Sequence, residues 1–257
     1  ARDEVTVAVA AYDYDEEELV DLRVEDVQLN HRGTEQFVEF EKPLDLPTSV
    51  TAKLFVWDEL GSGVPLREPI ELRPGMLGEG TAEDPFELRT WQDIENIRWN
   101  PDGHYKLMDD LELDGSARAQ IGSGTTPFTG VFDGQGHSIS GYQPVDNGGA
   151  GLFAVNHGTI RNLAVEDADV DTSAGTVGLL VDFNSGEIEN SWTSGAIAGA
   201  SRVGGVVGDS TGSVTDTYST ADVRSRSTEA GGVVAVAIEG STTQRVYSTG
   251  NVTSDTR

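Results

Sequence analysis

Apolar and polar residues alternate along the first part of the chain, and this alternation predicts short β-strands. The predicted strands are Val5–Val9, Leu19–Val27, Gln36–Phe40, Val50–Val56 and Val64–Leu72. Closely spaced strands that are separated by acidic turns and lack a helical period are typical of a β-sandwich. We therefore predict a β-sandwich module over residues 1–74, with Trp57 in its core.

A break rich in Pro and Gly, PGMLGEG at 74–80, predicts the boundary between two domains. Beyond it, Thr90 and Asp93 have the Thr-x-x-Asp spacing of a helix N-terminus. Three apolar residues follow at helical spacing, namely Trp91, Ile94 and Ile97. The pattern predicts a short helix over 90–98 with one apolar face.

Beyond residue 149 the pattern repeats with a period of about 27 residues. The first landmark is a glycine followed by two apolar residues, at 151–153, 178–180, 205–207 and 232–234. A turn glycine recurs in step with it, at Gly158, Gly186, Gly212 and Gly240. A polar residue follows three of these turns, as Asn162, Asn190 and Asp216. Because these landmarks recur together, residues 149–257 form an internal repeat.

A unit of this length, with three strand-like pieces and tight turns, is typical of one coil of a parallel β-helix. Stacked coils place equivalent residues in columns. We predict an interior column of Phe153, Leu180, Val207 and Val234. Their preceding residues are expected to face outward or to lie at a bend: Leu152, Leu179, Val206 and Val233. Two more columns are predicted, a polar ladder that starts at Asn162 and stops before Arg245, and an aromatic stack of Trp192, Tyr218 and Tyr247.

The open ends of such a helix expose unpaired strand edges. The helix at 90–98 is expected to cover the N-terminal end with its apolar face on the first coil, and no cap is predicted at the C-terminal end. The predicted fold class is all-β, with the β-sandwich module followed by a right-handed parallel β-helix over 75–257. We place its N-terminal cap at 80–127 and its repeats at 149–257.

Two segments resemble parts of known surface proteins. The sequence TAKLFVWDELGSGVPLREP, which starts at Thr51, resembles the last strands of immunoglobulin-like or fibronectin-like accessory modules. Residues 80–257 resemble surface proteins with the GLUG motif, most clearly in GLFAVNHGTIRNLAVEDADV and GLLVDFNSGEIENSWTSGAI. The third and fourth units depart from the motif, with Gly-Val-Val in place of Gly-Leu-Phe. The resemblance implies a large secreted or cell-surface, adhesin-like protein in which the repeats are structural.

The net charge of the chain indicates its native environment and disfavours some classes of partner. The 257 residues include 44 acidic and 17 basic ones, for a net charge of −27. The acidic residues are spread along the chain, and lysine occurs only at Lys42, Lys53 and Lys106. This composition resembles that of proteins from salt-loving archaea, whose carboxylate-rich surfaces stay hydrated in high salt. It disfavours nucleic acid and anionic membranes as partners, and no apolar run is long enough to predict a membrane span.

No cluster of residues predicts a catalytic, cofactor-binding or metal-binding site, and no cofactor is expected. The chain has no cysteine and only four histidines, which makes a zinc site an unfavoured hypothesis. Asp109 and Asp110 are chain neighbours whose carboxylates point apart, and Asp133 with His137 lies in a turn sequence, FDGQGH. Three carboxylates alternate along one predicted strand: Asp167, Asp169 and Asp171. A flat strand face does not converge on one point as calcium requires, so we interpret them as a solvated acidic face.

These patterns predict a structural or adhesive segment of an extracellular or cell-surface protein of a halophile, without catalysis. One alternative is a polysaccharide lyase or glycoside hydrolase of the parallel β-helix class, which requires carboxylates and a base in one groove. Another is a carbohydrate-binding module in which Trp192, Tyr218 and Tyr247 stack on sugars. The expected partners are other surface proteins, polysaccharide or further copies of the chain.

Overall fold

The structure, a computed structural model, describes residues 4–13, 19–28, 50–57, 70–72, 76–145 and 149–255. The chain divides into two compact units, Ala1–Gly75 and Met76–Arg257. Both units are built from β-strands, and the single α-helix of the described ranges belongs to the second unit. The all-β class predicted from the sequence is confirmed.

The first unit contains an antiparallel sheet of four described strands. They are β1 (Glu4–Asp13), β2 (Leu19–Gln28), β3 (Val50–Trp57) and β4 (Ile70–Leu72), in the spatial order β2–β1–β3–β4. Val5, Val7 and Val9 of β1 are buried. The half-buried ring of Trp57 stacks on Phe55, with the ring centroids 5.1 Å apart.

A β-sandwich requires a second sheet packed against the first. The described strands of the first unit form a single sheet. The predicted strand at 36–40, and residues 64–69 of the last predicted strand, lie outside the described residues. The sandwich therefore stays a prediction.

The second unit starts with β5 (Phe86–Leu88), helix α1 (Trp91–Glu95) and a 3₁₀ helix (Asn96–Trp99). The strands that follow are β6 His104–Leu107, β7 Leu111–Glu112, β8 Ala117–Arg118, β9 Val131–Asp133, β10 Ser138–Ser140, β11 Gln143–Pro144, β12 Phe153–Asn156, β13 Thr159–Arg161, β14 Ala164–Asp171, β15 Thr176–Gly178, β16 Val181–Asn184, β17 Glu187–Glu189, β18 Trp192–Gly199, β19 Arg202–Gly204, β20 Val207–Ser210, β21 Ser213–Thr215, β22 Tyr218–Ser219, β23 Asp222–Ser225, β24 Glu229–Gly231, β25 Val234–Ala237, β26 Thr242–Gln244, β27 Tyr247–Ser248 and β28 Val252–Ser254.

These strands pair in parallel from coil to coil and build a β-solenoid with three long ladders. Face one is β12–β16–β20–β25, and face two is β5–β6–β9–β13–β17–β21–β26. Face three is β7–β10–β14–β18–β22–β27, where β23 also pairs with β18, and β28 pairs with β23. A shorter ladder, β15–β19–β24, and the pair β8–β11 complete the unit. The parallel solenoid predicted from the repeats is present.

The interior column on face one differs from the prediction by one residue. Phe153 pairs with Val181, which pairs with Val207 and then with Val234. Leu180, the predicted member, lies at the bend before β16 and is nevertheless fully buried. The steps of the column are therefore 28, 26 and 27 residues, because coils of unequal length stack in register when extra residues are placed at corners. One extra residue lies instead within a strand, at the bulge of β14 between Val165 and Ala168.

Three of the four turn glycines pack against the backbone of the preceding coil, whereas a Cβ atom on the fourth, Gly240, would meet no atom within 4 Å. A Cβ atom on Gly158, Gly186 or Gly212 would lie 2.0–2.1 Å from the carbonyl oxygen of the glycine one coil earlier. No side chain tolerates that distance, so the repeat of glycine at this corner reflects stacking of the coils.

A second column of polar side chains, distinct from the one predicted at Asn162, runs along the same corner inside the solenoid. We call it the inner ladder. Asn156 donates its Nδ2 hydrogen to Asn184 Oδ1 at 2.8 Å, and Asn184 Nδ2 lies 3.3 Å from Ser210 Oγ. Asn184 is 1 % exposed and also donates to the backbone carbonyls of Gly186 and Ser213. The inner ladder thereby joins three coils through buried amides.

Replacing Asn184 by alanine should lower the free energy of unfolding by about 2–4 kcal/mol, because buried polar partners in two neighbouring coils lose their hydrogen bonds. Chemical denaturation in molar KCl, followed by circular dichroism, checks this value. Glu187→Ala removes an exposed side chain of the same coil, and it should change stability by less than about 0.5 kcal/mol. Equal effects of the two substitutions would contradict the structural role of the inner ladder.

Helix α1 contacts β5, the first strand of face two. The predicted helix start is confirmed: Thr90 accepts from the Asp93 N–H, and Asp93 Oδ2 accepts from the Thr90 N–H, which is a capping box. The predicted apolar face is also confirmed, since Trp91, Ile94 and Ile97 are buried in the cluster that continues into the coils. The Trp91 ring lies 5.8 Å from that of Tyr142.

Candidate functional site

The adjacent carboxylates Asp109 and Asp110 have separate partners. Asp109 lies 3.5 Å from the Arg89 guanidinium. Asp110 Oδ1 accepts the Ser138 N–H and lies 3.1 Å from His137 Nδ1. These two hydrogen bonds lower the pKa of Asp110. The structure thus brings His137 to Asp110, whereas the turn sequence suggested Asp133, and the contact ties two neighbouring coils together.

Asp133 anchors the turn between β9 and β10. Its Oδ1 accepts from the Gln135 N–H and from Asn162 Nδ2, and its Oδ2 accepts from Arg161 Nε at 2.8 Å. Burial alone would raise the pKa of Asp133, but these donors and the Arg161 charge outweigh it and hold the pKa low. The carboxylate is therefore an ionised structural group.

The three alternating aspartates lie on the exposed face of β14. Asp167, Asp169 and Asp171 are exposed, whereas the residues between them are buried. Asp167 has a φ of 52° because it belongs to the bulge in β14, and Asp171 forms an ion pair with Arg226. Among the residues that the structure describes, no three His, Asp or Glu side chains gather as metal ligands.

The predicted polar ladder after the turns is present and extends further than expected. Asn190 Nδ2 donates to Asn162 Oδ1 at 2.6 Å, and all four ladder residues have φ between 47° and 53°. Arg245 does not end the column, because its guanidinium forms an ion pair with Asp216. A charge pair takes the place of the amide contact in the last two coils.

The aromatic stack on face three is also present. The Trp192 and Tyr218 rings are parallel with centroids 5.9 Å apart, and the Tyr218 and Tyr247 rings are parallel at 4.9 Å. Each ring covers the face of the next, so a sugar cannot lie across the row as it lies on an open aromatic platform. The Trp192 Nε1 hydrogen is donated to Glu166.

The outer side of face two carries a column of alternating charge, which we call the charge ladder. Its members pair in register on five neighbouring strands: Glu87, Lys106, Asp133, Arg161 and Glu189. Lys106 Nζ lies 3.2 Å from Glu87 Oε1. Hydrogen bonds from Arg89 and Lys106 lower the pKa of Glu87. Opposite charges on adjacent coils stabilise the parallel register locally.

A cavity of about 360 Å³ opens beside the charge ladder. Its polar lining consists of His104, Lys106, Asp133, Gln135 and Arg161. Pro85 and Val131 contribute apolar wall. No local pattern in the sequence predicts this cavity, because its lining comes from three strands and two loops that are far apart in the chain.

Asp182 is a buried carboxylate that sequence reasoning missed. It is 3 % exposed and accepts hydrogen bonds from Gln120 Nε2 at 2.7 Å and from the N–H groups of Ala150, Gly151 and Gly178. Burial raises the pKa of Asp182 from 3.8 to about 6, although these four donors favour the charged form. Its partner Gln120 lies outside the repeats, so their period does not reveal this contact.

Comparison with known proteins finds two relatives. Halomucin of Haloquadratum walsbyi is 27 % identical over 181 residues, which cover 66 % of this chain and 2 % of halomucin. A putative Gly-rich membrane protein of Evansella cellulosilytica is 32 % identical over 127 residues, which cover 44 % of this chain and 15 % of that protein. The chain thus spans a small part of each relative. No family model and no solved structure matches it.

No helix in the described ranges is long and apolar enough to cross a membrane.

Proposed function

We propose that the chain is a structural or adhesive segment of a cell-surface protein of a halophile. The observation that carries this proposal is the unbroken stack of parallel coils, in which apolar columns fill the interior and carboxylates line the outside. Such a stack acts as a stiff spacer, because each coil contacts its neighbours along every ladder. The similarity to halomucin supports a surface location and a salt-loving source.

The proposal extends to the type of each unit. We assign the coils to the GLUG type, in a right-handed solenoid, and the first unit to an immunoglobulin-like accessory module. The buried bend residues Leu152, Leu179 and Val206 support the first assignment, because each follows a glycine on which a Cβ atom would lie 2.2–2.8 Å from a backbone oxygen of the next coil. These contacts explain why the motif repeats Gly followed by apolar residues. The antiparallel sheet of β1–β4 supports the second.

A non-catalytic role fits the contacts of the carboxylates. Asp110 and Asp133, two of the carboxylates that the sequence offers as candidates for chemistry, both accept hydrogen bonds that hold strands or turns in place. A glycosidase needs one carboxyl group of raised pKa that faces its substrate. Among the described residues, burial raises the pKa of two carboxyl groups: Asp182 is enclosed by Gln120 and backbone N–H groups, and Asp209 is buried and forms an ion pair with Arg202.

Surface labelling tests the proposed location. An antibody raised against residues 76–255 should label intact cells of the source organism, and brief protease treatment of intact cells should remove the label. A cytoplasmic protein of known abundance serves as the control, since it should be labelled only after lysis. Label that appears only in lysed cells would contradict the proposal.

The halophile assignment predicts that stability rises with salt. The −27 net charge repels itself in the folded state, and a Debye length of about 3 Å at 1 M salt removes most of this repulsion. The melting temperature should therefore increase between 0.1 M and 3 M KCl. Trehalose at matched osmolality is the control, because it does not screen charge. A flat or falling curve in KCl would contradict the assignment.

A further inference from the structure

We propose that the cavity beside the charge ladder binds a sugar acid, with its carboxylate on Arg161. Arg161 forms its ion pair with Asp133 through Nε. Its two terminal nitrogens have no hydrogen-bond partner among the described residues, and 42 % of the side chain is exposed. A guanidinium edge with paired N–H groups matches the two oxygens of a carboxylate.

Further donors surround the same space. Lys106 Nζ has one contact, with Glu87, and an ammonium group has three hydrogens to donate. Within the described residues, neither the His104 ring nor the Gln135 side-chain amide has a partner, and both line the cavity. Three of the 21 Lys, Arg and His side chains of this acidic chain thus meet at one place.

The cavity wall also contains the carboxylate of Asp133, whose charge and hydrogen bonds are already taken up by neighbouring groups. Both oxygens of Asp133 already accept hydrogen bonds, from Gln135, Asn162 and Arg161. Its charge is balanced by the Nε side of Arg161, and the opposite edge of the guanidinium remains available for a second carboxylate. Lys106 adds a further positive charge within the lining.

The size and mixed lining of the cavity favour a ligand larger than an inorganic ion. About 360 Å³ lies within the range of small-molecule sites. The His104 ring and the Gln135 amide can exchange hydrogen bonds with hydroxyl groups, and Pro85 with Val131 offers an apolar wall to carbon atoms. A carboxylate on a polyhydroxylated ring, as in a uronic acid unit of a polysaccharide, fits this combination.

Titration of the ¹⁵N-labelled full chain with D-glucuronate in 1 M KCl, followed by NMR, tests the proposal. We expect a Kd of about 1 mM, which corresponds to about −4 kcal/mol, with shifts confined to amides around Gln135, His104 and Arg161. D-Glucose and potassium sulfate are the control ligands, and both should bind at least about tenfold more weakly. Glucuronate binding elsewhere, absence of shifts at 20 mM, or equal binding of sulfate would overturn the proposal.

Two variants assign the contact to named groups. Arg161→Lys keeps the charge beside Asp133 but loses the paired donors, so glucuronate should bind about tenfold more weakly. Arg224→Lys, at an exposed arginine paired with Asp255 outside the cavity, is the matched control and should bind normally. His104→Ala removes a ring without a described partner, so folding is preserved, and affinity should fall about threefold. Unchanged glucuronate affinity in both cavity variants would refute the site, whatever the outcome of the surface-labelling experiment.

Discussion

Replacing Ile94 by aspartate should unfold the solenoid unit. Ile94 is 1 % exposed and lies in the apolar cluster that joins helix α1 to the coils. The variant loses about 1.5–3 kcal/mol of apolar burial, and a carboxylate without a partner in that position costs several kcal/mol more. The sum approaches the whole stability of an ordinary domain, about 5–15 kcal/mol. Limited proteolysis and circular dichroism in molar KCl measure the effect.

Gln92→Asp is the matched control for this prediction. It adds the same charge to the same helix at a half-buried position of the first turn, where the helix dipole favours a carboxylate. It should stay as resistant to protease as the wild type. If Ile94→Asp also stays resistant, α1 does not close the core, and its apolar face would instead be available to a partner.

The pH dependence of stability should change when Asp182 is replaced by asparagine. The folded-state pKa of Asp182 is raised from 3.8 to about 6. A raised pKa means that the folded state binds the proton more tightly, so this contribution is fully present below pH 3.8 and is lost as the pH rises through 6. About two pKa units correspond to about 3 kcal/mol. The wild type loses this contribution between pH 4 and pH 7, and Asp182→Asn does not.

Denaturant unfolding of both proteins at pH 4 and pH 7 in molar KCl checks this expectation. The difference in unfolding free energy, wild type minus variant, should fall by about 3 kcal/mol from pH 4 to pH 7. Comparison of the two proteins cancels the titration of the other carboxylates. Val181→Ala, on the same strand, removes a buried side chain that does not titrate, and its effect should be equal at both pH values. If the difference in unfolding free energy between wild type and Asp182→Asn is independent of pH, burial does not raise the pKa of this carboxyl group.

The repeat was the most informative pattern in the sequence, and the wrong residue that it placed in the interior column has a physical reason. Matching Gly151-Leu-Phe to Gly178-Leu-Leu at a fixed offset places Leu180 opposite Phe153, whereas the ladder pairs Phe153 with Val181. The turn glycines, at steps of 28, 26 and 28, follow the pairing of faces one and two through the first three coils. Residues in contact with backbone therefore track the register better than apolar residues at a bend, because a bend tolerates an inserted residue and a backbone contact does not.

The contacts of the candidate site residues were also predicted only in part from the sequence. The sequence placed Asp133 and His137 in one turn, but their side chains have partners in different coils: Asp133 binds Arg161 of the next coil, and His137 binds Asp110 of the preceding coil. Partners 27 and 28 residues apart become neighbours because parallel coils stack residues one period apart. The period could have suggested these contacts, since each partner lies about one coil length away.

Local patterns were sufficient for the β class, the helix with its capping box and the repeat, because each depends on neighbours within a few residues or on a regular spacing. Only the folded chain shows how Gln120 encloses Asp182, or how His104, Lys106 and Arg161 come to line one cavity. Gln120 lies in a connection that precedes the repeats, so no period relates it to Asp182, and the residues of the cavity come from several coils and loops. Which of their side chains meet depends on the path of the loops and on what the neighbouring coil leaves unpaired, and neither is a property of any short stretch of the chain.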